Sequence, residues 1–253
     1  MNQHRFISLL CCTAMMFFLI SCGGGGSSEE KSTTDTTAAK TDTTTAATPA
    51  PQPPASSVNT TPQDVMLVTH KVKDFAKWKM AYDGDDSNRL AAGVHSFVIG
   101  RSVPDSNMVV VAMKIDDQQK AKAFGSSPKL KKAMQQGGVV GAPTIKMNTL
   151  VYQDLSPVST DLRVRTNITV KDWDKWKKAF DSTRALNEDN GLKLRAYGHE
   201  TADNHKVMIV SAVLDTAKAH AYFKSDLLKQ RRIASGVVGE PQRSMYRVVQ
   251  LYQ

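Results

Sequence analysis

The chain of 253 residues carries 33 Lys and Arg against 24 Asp and Glu, for a formal net charge of +9. Such an excess fits an anionic partner, yet no five basic residues stand in a row, and nucleic-acid binding is not expected. All three cysteines, Cys11, Cys12 and Cys22, fall in the first 22 residues, which leaves the rest of the chain no thiol for a disulfide, a nucleophile or a thiolate metal site.

Residues 1–21 read as a signal peptide and are set apart from the fold. Arg5 supplies the cation of a short leading region, and Phe6 to Ile20 form a fifteen-residue apolar run, shorter than the about 18 residues of a spanning helix. Leu19-Ile20-Ser21-Cys22 then matches the bacterial lipobox, in which the cysteine is diacylated, exposed by cleavage and acylated again. Cys22 is therefore the expected lipidation site, with palmitate among its chains. Two or three acyl chains hold a protein at a membrane, since each buried methylene contributes ~0.8 kcal/mol.

Residues 22–63 are mostly Ser, Thr, Ala, Pro and Gly. They cannot bury enough apolar surface to offset chain entropy, so a disordered tether is expected, with a reach on the order of 35 Å. Ser27-Ser28-Glu29-Glu30 resembles the acidic export signals of surface lipoproteins. The expected address is the bacterial cell envelope, lipid-anchored at the outer membrane and facing the periplasm or the exterior.

From residue 64 onward the chain says the same thing twice. Lys73 to Asp83 returns 98 residues later as Lys171 to Asp181 with seven of eleven positions identical, and Gly138-Val139-Val140-Gly141-Ala142-Pro143 returns as Gly236-Val237-Val238-Gly239-Glu240-Pro241. Two modules are expected, residues 64–153 and 162–253, joined by a linker at 154–161. In the first, Val65 to Val72 is an apolar, β-branched strand. Asp74 caps a helix on which Phe75, Trp78, Ala81 and Tyr82 recur at helical spacing. Gly93 leads into a second strand through Arg101, and Pro104-Asp105-Ser106-Asn107 is the turn of a hairpin whose other strand is Met108 to Ile115. Ser127 caps the restart of a second helical segment at Pro128, and a strand from Ile145 to Tyr152 closes the module. The glycine-rich motif lacks the Lys-Ser/Thr ending of a phosphate loop and reads as a helix C-cap and turn.

The order β-α-β-β-α-β is the ferredoxin-like plan, an α+β fold whose sheet carries helices on one face and leaves the other needing cover. The aromatic and tryptophan spacing of the first helix, Ala121-x-Ala123-Phe124 with Leu130, and the closing Gly-Val-Val-Gly-x-Pro together resemble the dimeric α/β-barrel superfamily, in its antibiotic-biosynthesis-monooxygenase-like branch. The resemblance covers Val65 to Gln253. It implies two ferredoxin-like modules packed sheet to sheet as an intramolecular dimeric α/β barrel, and a monomer with an internal pseudo-two-fold.

Strand alternation then separates two faces. Met66, Val68 and Val72 match Val164, Thr166 and Val170 on a face expected under the helices. On the other face Val65, Leu67 and Thr69 become Arg163, Arg165 and Asn167, while His95, Phe97, Ile99 and Arg101 become Lys193, Arg195, Tyr197 and His199. A central space with one apolar and one cationic, aromatic wall suits an apolar ligand with an acidic group, so Arg163, Arg165, Asn167, Arg195, Tyr197 and His199 are the candidate binding residues. The plain alternative is that these residues face solvent or pair with carboxylates across the interface.

The histidines show no HxH or HExxH spacing, and no metal is expected. Haem-degrading members of the family use an Asn on the first strand, a Trp on the third and a His on the second helix. Asn167 and His220 stand at two of these positions, but Val207 to Leu214 holds no aromatic residue, and no cofactor is expected. Two functions stay open: an envelope protein acting as a small-molecule binder or interaction module, and a cofactor-free monooxygenase in which Tyr197, His199 and Asn167 polarise a substrate.

Overall fold

The computed structural model describes residues 57–252. The expected signal peptide, Cys22 and the expected tether as far as residue 56 lie outside the described residues. In chain order the elements are β1 Val58–Asn59, β2 Gln63–Val72, α1 Phe75–Gly84, α2 Asp86–Ala91, β3 Val94–Ser102, β4 Met108–Ile115, α3 Gln118–Gly125, α4 Pro128–Gln136 and β5 Val139–Asp154. The second module repeats them as β6 Leu162–Val170, α5 Trp173–Thr183, α6 Leu186–Asp189, β7 Leu192–Glu200, β8 Asp203–Val213, α7 Thr216–Lys224, α8 Asp226–Ala234 and β9 Val237–Leu251.

Six of the eight described helices start where a side chain satisfies a free amide; α2 and α6 do not. Asp74 and Asp172, 98 residues apart, accept from the backbone N–H of Lys77 and Lys175 at 2.7 and 2.8 Å. Asp117 and Asp215 do the same for α3 and α7, and Ser127 and Ser225 for α4 and α8. Each such cap contributes about 1 kcal/mol.

The strands run in the order β5-β2-β4-β3-β9-β6-β8-β7, and β7 pairs back onto β5. Eight antiparallel strands therefore close on themselves, with β1 added at the end of β5. Two seams join the modules: Val98–Ser102 of β3 against β9, and Asn148–Gln153 of β5 against β7. Each seam holds a glycine at the same offset. A Cβ on Gly100 would overlap the Tyr246 ring, and one on Gly198 would overlap the Thr149 carbonyl. Closure removes the exposed edges that each module would otherwise present.

The final strands begin earlier than Ile145 and its counterpart. Both start inside the glycine motif and carry a bulge there, with Gly141 and Gly239 at φ 72° and 69°, left-handed values that glycine adopts without strain.

The core is divided by the sheet. Met66, Val68, Val72, Trp78, Val111 and Met113 are buried beneath the helices of the first module, while Ile168, Val170, Trp176 and Val207 are buried beneath α5. A third group, Val65, Leu67, Val110, Leu150 and Met208, fills the barrel interior.

Candidate binding site

The structure brings four of the six candidate residues to the barrel interior. Arg163, Arg165 and Arg195 line a small chamber of about 110 Å³ at the linker end, opposite Val65, Leu67, Val110 and Ala112. Asn167 lines a second chamber of about 680 Å³ at the other end. Arg165, Leu67 and Met208 border both. The apolar and cationic walls thus face each other.

The three arginines are not equivalent. Arg195 lies 3.5 Å from Asp154 and 3.4 Å from the Ser156 hydroxyl. Burial alone would raise the Asp154 carboxyl, but hydrogen bonds from Ser156 and the charges of Arg195 and Lys193 outweigh it and hold the group below its usual range. Arg163 donates to the carbonyls of Thr160 and Leu162 at 2.8 and 3.1 Å. Arg165 has no ion-pair partner among the described residues, and its Nε is buried without a hydrogen bond. Burial depresses its pKa, and Tyr246, buried beside it, offsets that only in part.

Tyr197 and His199 are not on this wall. The β7–β8 register slips between Leu194 and Ala196, so Arg195 and Ala196 both face the interior and every later side chain changes face. Tyr197 is 2% exposed and sits under α5, edge-on to Trp176 and Phe180 at 5.9 and 5.2 Å. Its hydroxyl donates to Asp181 at 2.6 Å, and burial with that bond raises its pKa. His199 packs its edge on Trp173 at 4.7 Å and donates from Nδ1 to the Glu200 carbonyl at 2.9 Å. The same slip occurs at Phe97 in β3, where Ile99 turns into the helix-side core and Arg101 covers Phe75 at 4.4 Å. His220 is exposed on α7, away from Asn167.

A further cavity, which strand alternation did not reveal, lies between the helices and sheet of the second module. It measures about 260 Å³ and is lined chiefly by Val164, Trp176, Phe180, Ile209, Phe223 and Leu228. The matching space in the first module is about 60 Å³. Residues 98 apart account for the difference. Met66 and Met113 line the first space, and Val164 and Ser211 replace them in the second; Met134 and Ile145 become Arg232 and Arg243. Smaller side chains leave space that the backbone does not collapse to fill. Arg231 is tied to the Thr183 carbonyl at 2.9 Å and to the Tyr222 hydroxyl, and Arg232 lies 3.4 Å from Glu240. Arg243 stacks over Phe223 at 4.5 Å with no carboxylate within ion-pair distance among the described residues. Its pKa is lowered by desolvation and then by the charge of Arg232.

No family model matches the chain, and neither does any curated protein. Solved structures do. An anthrone oxidase-like protein aligns over 77% of this chain and 94% of its own at 16% identity, with a TM-score of 0.51. A monooxygenase-like protein from Listeria innocua aligns over 76% and 98% at 10% identity, TM-score 0.42. A ferredoxin-fold protein from Listeria monocytogenes, related to antibiotic biosynthesis monooxygenases, covers the same shares at 10% identity, TM-score 0.41. The fold is the dimeric α/β barrel.

In this dimeric α/β barrel both modules come from one chain. Among the described residues no group of three His, Cys, Asp or Glu side chains could hold a metal. No described helix is long and apolar enough to cross a membrane. The polarising trio of the oxygenase reading is divided, with Asn167 in the barrel interior and Tyr197 and His199 beyond the sheet.

Proposed function

We propose that this protein binds a small apolar molecule bearing an anionic group, held under the helices of the second module and presented at the cell envelope through a lipid on Cys22. One comparison carries the reading: the first module fills this space with Met66 and Met113, and the second opens it to about 260 Å³ and sets arginines at its rim. An unfilled core weakens a fold, and at the mouth Arg232 and Arg243 repel each other with only Glu240, paired to Arg232, to offset it. An anion there relieves the repulsion, and its apolar body takes up the empty volume. The size lies between a cavity that holds benzene, about 150 Å³, and the lower bound of drug-sized sites, about 300 Å³, which suits one aromatic ring or a short acyl chain.

The test is titration calorimetry of the full chain with octanoate and 3-phenylpropanoate. Wild type is expected to bind at least one. Val164→Met with Ser211→Met, which restores the side chains of the first module, abolishes binding while keeping the fold, and Arg243→Ile weakens it about tenfold or more. Unchanged affinity in the refilled variant overturns the reading. Cofactor-free oxygenation has less support because its candidate groups lie on opposite faces of the sheet.

A further inference from the structure

The barrel interior takes no part in that reading, yet it holds unbalanced charge. Eight-stranded barrels have room either for packed side chains or for one small ligand. Here the linker end is largely filled by Val65, Leu67, Val110 and Leu150 with Tyr246. The other end is open, about 680 Å³, and its surface is different in kind. Thr69, Thr144, Asn148, Asn167, Thr169 and Gln242 ring it with groups that both donate and accept hydrogen bonds. Lys146 there is paired with Glu200, and Glu240, the other acidic residue of the lining, is paired with Arg232. Arg165 and Lys206 have no carboxylate within ion-pair distance among the described residues; Lys206 reaches only the Thr169 hydroxyl, at 3.2 Å.

A half-buried guanidinium with an unbonded Nε is costly to a fold. In the first module Leu67 occupies the matching position, so nothing in the fold requires a cation there. We propose that this chamber is a second binding site, for a hydroxylated organic anion of the sugar-acid or sugar-phosphate class, with its acid group on Arg165 and its hydroxyls on the surrounding amides and threonines. The apolar acids assigned to the second module are poor occupants, because their hydrocarbon bodies offer the surrounding amides and threonines no hydrogen bonds.

Titration of the full chain with gluconate, glucose 6-phosphate and sorbitol in chloride buffer tests this. Gluconate or glucose 6-phosphate binds wild type and sorbitol does not; the arm that binds identifies a carboxylate or a phosphate. Arg165→Met weakens binding about ten- to a hundredfold, and its melting temperature without ligand is unchanged or raised. Asn167→Leu weakens binding with the charge intact. Val164→Met with Ser211→Met leaves this binding unaltered, which separates the two sites. The proposal is overturned if neither anion binds wild type, if Arg165→Met binds as wild type does, or if Arg165→Met melts lower or fails to fold, since the guanidinium would then be structural.

Discussion

His70 shows how much one side chain can decide. It is 6% exposed on the helix side of β2, its ring tilted against Trp78 at 5.4 Å, and neither ring nitrogen has a hydrogen-bond partner. Desolvation lowers its pKa to about 4. Above its unfolded value of about 6.5 the ring is neutral in both states and exerts no pH dependence. Between 6.5 and 4 the unfolded chain takes up a proton that the folded chain refuses, so stability falls with pH, and below 4 the loss is complete, at about 3 kcal/mol. Ile168 fills the same place in the second module. His70→Ile should therefore narrow the stability difference between pH 7.5 and pH 4.5 by ~2–3 kcal/mol in urea unfolding. Equal pH dependence in the two proteins would show that the ring is already hydrated.

At the scale of elements, what could be read from the sequence was local. Asp74, Ser127 and the Pro104–Asn107 turn each act within a few residues, and all three lie where their chemistry put them. The wall of Arg163 and Arg165 was legible because β6 is regular up to Asn167. Tyr197 and His199 were not, because the slip at Arg195 answers to closure of a seam whose other strand begins some fifty residues earlier. The helix-side cavity needed a different signal, the position-by-position comparison of the repeats at Met66 and Met113. Gly198 is the fixed point of the β5–β7 seam. Gly198→Ala drives a methyl into backbone that cannot rotate away and should cost ~2–3 kcal/mol. Gly84→Ala, whose new methyl meets nothing within 4 Å, should be neutral or slightly stabilising. Equal melting of the two variants would mean that the seam is open in solution.

For the molecule as a whole, closure within one chain leaves neither module an unpaired inner edge. The soluble chain from residue 23 is expected to scatter light as a monomer at micromolar concentration, and an obligate dimer would mean that β7 and β9 pair between chains instead. Were the second module to close a barrel with a copy of itself, each interior residue would meet its own image. Arg163, Arg165 and Arg195 would then appear twice, six guanidiniums in one poorly solvated space, and every methionine removed from a helix-side core would be removed from both. Covalent duplication frees the halves from that coupling. Leu67 stays apolar where Arg165 is charged, and Met113 fills the space that Ser211 leaves empty. A substitution made once is expressed once, so the chain can hold opposite surfaces face to face, an arrangement closed to any homodimer of either half.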